Sequence, residues 1–224
     1  MSTDENNQAS QGSFADDSEL PMAREMMYED LARADLYGLL ASLFYQAPTN
    51  DLLHRIAASA AYGNGQSAPQ EADLTIAWQD LVHLAAQSNE KDWKSEYEEY
   101  FIGVGKQEIF LYGSYYLTGF LNEKPLVELR RDLAALGIAG SESITETEDH
   151  IATLCEVMRY LIAGEDLSIS NLTQQKKFFN EHIRTWVELL FDAVRQKEDV
   201  THYQAVVALA KAFFAAEGQA FDMI

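Results

Sequence analysis

"LYGLLASLFYQAP", residues 36 to 48, decides the fold class. Its apolar residues Leu36, Leu39, Leu40, Leu43 and Phe44 recur at i, i+3, i+4, i+7 and i+8, which lines one face of a helix of 3.6-residue period. The helix stops before Pro48, which has no N–H to continue the ladder. The same period carries through the rest of the chain. A second helix is expected over about 50–61 and a third over about 69–87, with Leu74, Trp78, Leu81 and Leu84 facing inward and Pro69 near its start. "EKDWKSEYEEYFIG" (90–103) forms a fourth, in which Trp93, Tyr97, Tyr100 and Phe101 share a face. Further helices follow at about 114–122, 125–136 (closed by Gly137), 146–163, 171–196 and 201–217.

Two stretches break the pattern. "YGNGQSAP" (62–69) and "GVGKQEIFLYG" (103–113) are rich in glycine and read as loops. Residues 1–24 are polar, acidic and aperiodic, which predicts a disordered tail. No alternating Val/Ile/Thr-rich run occurs, so no sheet is expected. The expectation is one all-α helical-bundle domain of about nine helices over residues 25–224.

Composition narrows the function. Of 224 residues 47% are hydrophobic, enough for a globular core, and 36 acids against 16 bases give a formal charge of −20. Such a surface repels phosphate backbones and anionic lipid heads and attracts basic peptides. The single cysteine, Cys155, excludes an intrachain disulfide and a zinc cage of cysteines. The first twenty residues carry neither a basic nor an apolar signal region, and no apolar run reaches the roughly 18 residues of a membrane span. A soluble protein of a reducing compartment, the cytoplasm, fits best.

"TETEDHIATLCEVM" (145–158) gathers carboxylates and a histidine before an apolar run. Thr145 and Glu148 have the spacing of a capping box, and acids suit a first helical turn. That explains Thr145, Glu146 and Glu148 as a helix start. His150 falls close to Leu154, Val157 and Leu161 on the helical wheel, with Glu146 four residues before it and Asp149 beside it. Spacing alone leaves two readings open, a local structural clasp or an acidic recognition patch.

Other motifs are weak. "GVGK" lacks the spacing and the strand–loop–helix setting of a phosphate loop. Asp51/His54, Asp80/His83 and Asp199/His202 have the i, i+3 spacing of carboxylate-bundle metal ligands, but short aspartates in an acid-rich chain read better as solvated faces. Cys155 sits among apolar helix positions, as structural cysteines do.

Several separated stretches together resemble one family. "EYEEYFIG" with "LYGSYYL", "LRRDLAALGI", "ETEDHIATLCEVMRYL" and "QQKKFFNEHIRTWVELLFDAV" are similar in order and spacing to the TorD/DmsD/NarJ family of redox-enzyme maturation chaperones, from about residue 30 to 215. The acid-x-x-Asp-His block and the Gln-Gln…His…Trp helix are its most specific parts. The resemblance implies an all-helical, non-enzymatic cytoplasmic chaperone. Its partner would be the precursor of a molybdopterin-containing oxidoreductase, bound at a twin-arginine signal peptide and held for cofactor insertion before export. It implies no resident cofactor, and at most weak contact with a guanine nucleotide or molybdopterin.

The family fingerprint is commonly E-P-x-D-H. Here it reads Glu146-Thr147-Glu148-Asp149-His150, with Thr147 in place of proline and hence a less rigid turn expected. The segment "QEIFLYGSYYL" also lacks the proline-rich lead-in of many members. Asp149 and His150 correspond to family positions linked to client binding, as do Tyr112, Ser114 and Tyr116. Paired arginines beside an apolar stretch call for carboxylates beside an aromatic-lined groove. "TETEDH", with Glu146 and Glu148, would supply the first and "IFLYGSYYL" the second. The alternative is a metal- or nucleotide-dependent enzyme using Glu146, Asp149 and His150.

Overall fold

The computed structural model describes residues 19–59, 69–103, 107–140 and 145–224. Helices α1 (Glu19–Tyr45), α2 (Asn50–Ala58), α3 (Pro69–Gln87) and α4 (Glu90–Tyr97) are followed by a π turn, Glu98–Ile102. Then come α5 (Gly113–Thr118), α6 (Lys124–Ala135), α7 (Ile151–Ala163) and α8 (Leu172–Phe178), and a second π turn, Phe179–Ile183. Helices α9 (Val187–Arg195) and α10 (His202–Asp222) complete the chain. Among the described residues there is no strand, only an isolated antiparallel bridge between Tyr112 and His150. The all-α expectation is met. Helix α1 begins at Glu19, so residues 19–24 of the stretch expected as a disordered tail are helical. Residues 1–18 of that stretch, 62–68 of the first expected loop and 104–106 of the second lie outside the described residues.

Burial explains the packing. Helix α1 lies along α7, so that Tyr37, Leu40, Leu43 and Phe44 meet the stripe of Leu154, Cys155, Met158 and Leu161, all fully buried. Helix α10 packs on α3 and α9. Its Tyr203 ring contacts Trp93, Tyr97 and Phe101, so the aromatic face of "EKDWKSEYEEYFIG" does point into the core. Within that segment Glu96 is buried too. Its carboxylate accepts hydrogen bonds from the backbone N–H groups of Thr201 (2.9 Å), His202 (3.1 Å) and Tyr203 (2.7 Å), which caps α10 from a distant part of the chain. His202 thus pairs with Glu96 at 2.9 Å, a contact the spacing Asp199/His202 does not suggest.

Two helices differ from expectation. The run 171–196 is two helices, because the π turn 179–183 inserts a residue and Arg184 N–H bonds back five positions to the Phe179 carbonyl at 2.9 Å. Among the described residues there are thus ten α-helices where about nine were expected. The helix expected over 146–163 begins at Ile151, with His150 as its N-cap: the ring Nδ1 accepts the Ala152 N–H at 3.1 Å. Thr145 and Glu148 therefore form no capping box. Residues 145–150 are instead a turn that pairs with the strand-like approach to α5.

Candidate functional site

The approach to α5 and the approach to α7 hold each other in place. Ile151 N–H donates to the Leu111 carbonyl at 2.8 Å, and Gly113 N–H to the Asp149 carbonyl at 3.0 Å. The Asp149 carboxylate accepts the Ser114 N–H at 2.8 Å, satisfying an orphan donor in the first turn of α5, and the Thr147 hydroxyl at 2.6 Å. Thr147, standing where the family pattern has proline, thus ties down the turn with its own side chain. The Tyr112 hydroxyl donates to the Glu146 carboxylate, and the Tyr112 ring meets the His150 ring edge-on at 5.0 Å. Burial, reinforced by that bond to Glu146, pushes the Tyr112 hydroxyl pKa well up. Burial likewise pushes the His150 imidazole down to about 4, against the pull of Glu146 and Asp149.

The structure therefore brings Tyr112, Ser114, Glu146, Asp149 and His150 together, as a largely buried clasp. Glu146, expected to reach the His150 ring, is the acceptor for Tyr112. Glu148 turns away, and its carboxylate is held by Arg130 at 2.8 Å. Tyr116 stacks on Trp186, with ring centres 5.6 Å apart and 14° between planes. An enzyme built on Glu146, Asp149 and His150 finds little support here. The imidazole Nδ1 is engaged as a helix cap, and both groups of the Asp-His pair are under 5% exposed.

Beside the clasp opens a cavity of about 580 Å³ between α5, α6 and the second π turn. Ser114, Leu117 and Asp149 form one wall, Glu128 and Asp132 of α6 another, and Glu181, His182 and Trp186 a third. Four carboxylates, those of Glu128, Asp132, Asp149 and Glu181, line this space with one arginine, Arg131. His182 Nε2 lies 3.1 Å from Asp132 Oδ2, and burial lowers the His182 pKa against the opposing pull of that carboxylate. The Trp186 indole donates to the His182 carbonyl at 2.7 Å, fixing the turn that carries Glu181 and His182. Gly113 is required by that indole: a Cβ there would stand 2.8 Å from Trp186 Nε1. Ser114 belongs to the cavity lining, but its hydroxyl is fully buried and has no hydrogen-bond partner.

Exposed apolar surface begins at Leu117, which also lines the cavity. Leu117, Phe120, Leu121 and Val127, at the end of α5 and the start of α6, are 40–69% exposed. The expected groove-lining stretch is only partly so disposed, since Ile109 and Leu111 belong to the core.

The family model of the nitrate reductase delta subunit matches residues 68–192, a span that contains α5, α6, the clasp and the second π turn. The chain belongs to the nitrate reductase delta subunit family. Curated relatives agree over most of its length. Chaperone protein TorD of Vibrio cholerae serotype O1 (strain ATCC 39315 / El Tor Inaba N16961) is 25% identical over 213 residues, covering 90% of this chain and 97% of that one. The TorD chaperone of Psychrobacter sp. (strain PRwf-1) is 26% identical over 205 residues, 85% and 92% of the two chains. That of Aliivibrio fischeri (strain ATCC 700601 / ES114) is 25% identical over 195 residues, 81% and 90%. The chain is a chaperone of this TorD/NarJ group and not an enzyme.

Asp132, Glu181, His182 and Trp186 were not singled out as site residues from the sequence. A signal for them existed: Asp132 lies within "LRRDLAALGI" and the other three within "QQKKFFNEHIRTWVELLFDAV", two of the stretches that carry the family resemblance.

Proposed function

We propose that the chain is a system-specific maturation chaperone of a molybdopterin-containing oxidoreductase, acting in the cytoplasm. It captures the twin-arginine leader of the precursor in the groove between α5, α6 and the second π turn, and holds the precursor for cofactor insertion before export. The observation that carries this reading is the juxtaposition of an acidic cavity with an exposed apolar rim. Guanidinium groups form forked, charge-assisted bonds with carboxylates, and Glu128, Asp132 and Glu181 offer them in a partly desolvated space. The apolar stretch that follows the arginines in such a leader would lie over Leu117 and the exposed Phe120 and Leu121 that follow it in the chain. Asp149 and His150 act chiefly by shaping this groove, since they join the start of α5 to the start of α7. No described helix is long and apolar enough to cross a membrane, and the formal charge of −20 suits a cationic client.

The test is titration of the full chain with a synthetic leader from a molybdopterin oxidoreductase of the same genome. Phe120→Ser, on the apolar rim, is expected to weaken binding by about tenfold, the loss of one well-buried aromatic contact. Asp51→Asn, on the exposed face of α2, should leave it unchanged. A scrambled leader bound as tightly as the true one, or a Phe120→Ser chain that binds like wild type, would defeat this reading.

A further inference from the structure

On the α6 and π-turn walls of the groove, three side chains stand closer together than peptide capture requires. One carboxylate oxygen each of Asp132 and Glu181 and one ring nitrogen of His182 lie within 4.8 Å of one another. We infer that Asp132, Glu181 and His182 form a binding site for a divalent transition-metal cation, Zn²⁺ by its donor set, with the remaining coordination position open to the cavity.

One imidazole nitrogen and two carboxylate oxygens suit zinc. Calcium and magnesium prefer all-oxygen shells, and a cysteine cage is unavailable to this chain. Around a tetrahedral zinc with bonds of about 2.0–2.2 Å, neighbouring donors sit roughly 3.3 Å apart. His182 Nε2 and Asp132 Oδ2 already stand at 3.1 Å, although they come from positions 50 residues apart. The side chains of both are less than a fifth exposed, so these two ligands are held by the fold. Only Glu181 has to move inward, and its side chain is half exposed.

Adjacent residues in a regular helix point about 100° apart and do not share a target. Here Glu181 and His182 occupy the second π turn, and both line the same cavity. That turn is fixed by the indole bond from Trp186 to the His182 carbonyl. Competing cations are weakly placed. Arg131 touches Asp132 through the other oxygen, Oδ1, at 3.4 Å, and Lys177 reaches Glu181 only at 4.0 Å. Both basic side chains are more than half exposed, so water screens these pairs.

The inference does not rest on leader capture, and its test contains no peptide. The full chain, stripped with a chelator, is titrated with Zn²⁺ in the presence of excess Mg²⁺, and with Co²⁺ as a spectroscopic probe. One equivalent of Zn²⁺ is expected to bind and to raise the unfolding midpoint, because a ligand of the native state stabilises it by mass action. Co²⁺ should give the intense visible bands of a four-coordinate site. Glu181→Gln and His182→Gln should each weaken binding at least about tenfold and abolish the shift in midpoint. Glu181 is exposed, so its variant keeps the test sound even if His182→Gln folds poorly. Zinc binding at wild-type strength in Glu181→Gln, or none above the Mg²⁺ background in wild type, would overturn the site.

Discussion

His150 shows how one side chain serves two elements. Its Nδ1 accepts the Ala152 N–H and so starts α7, and its ring covers Tyr112 at the mouth of α5. The acceptor exists only while Nδ1 is unprotonated. Burial holds the folded-state pKa at about 4, below the ordinary imidazole value of 6.5. Between those values the unfolded chain binds the extra proton, so stability is complete above pH 6.5 and falls as pH drops toward 4. The full loss is roughly 3 kcal/mol at about 1.4 kcal/mol per pH unit. Chemical unfolding from pH 7.5 to 5 should show this slope, and His150→Gln should remove the His150 part of it. His182, also pushed down by burial, keeps its own share. Gly113 gives a second check at this scale. Gly113→Ala drives a methyl into the Trp186 indole, and overpacking of this kind is expected to cost about 1–3 kcal/mol in equilibrium unfolding.

Single elements depend on remote residues. Helix α10 has no side-chain cap of its own at Thr201, and Glu96 supplies it from the end of α4. Glu96→Ala leaves three N–H groups and a buried site without an acceptor, for an expected loss of about 2 kcal/mol. Thermal or urea unfolding measures it. Helix identity was legible from the 3.6-residue period nearly everywhere, and α3 begins and ends where Pro69 and its apolar stripe place it. What periodicity misses is a one-residue change of phase. Phe178, Phe179, Ile183, Trp186, Val187 and Leu190 are all buried and fit a continuous helical stripe, so the π turn between α8 and α9 leaves no mark in the pattern. The start of α7 was misplaced for a related reason. Thr145 and Glu148 have capping spacing, but Asp149 is worth more as an acceptor for the first turn of α5, and the helix starts after it. Which residues face the cavity was not legible, because Asp132 and His182 meet only through tertiary packing.

The whole molecule is tied across the bundle by Arg33 of α1. Its guanidinium makes a forked pair with Glu217 of α10 at 2.7 and 2.9 Å and reaches Gln175 of α8 at 3.1 Å, while the Tyr37 hydroxyl donates to Glu217 at 3.1 Å. Arg33→Met strands a nearly inaccessible carboxylate and is expected to cost about 3–5 kcal/mol, read as a fall in the urea midpoint. The same molecule, at a formal charge of −20, should attract a basic leader from a distance. Its association rate should therefore fall as salt rises and the Debye length shrinks below about 10 Å. Stopped-flow mixing at several salt concentrations checks this. The most direct test of groove capture is a double-mutant cycle: wild type and Glu128→Gln/Asp132→Asn, each titrated in chelator with the leader and with its twin-arginine-to-glutamine variant. If these carboxylates hold the arginines, the two changes are coupled by at least about 1 kcal/mol, and the leader's preference for arginine largely disappears in the variant chain. Additivity within about 0.5 kcal/mol, with the arginine preference intact, would place the leader elsewhere on the protein.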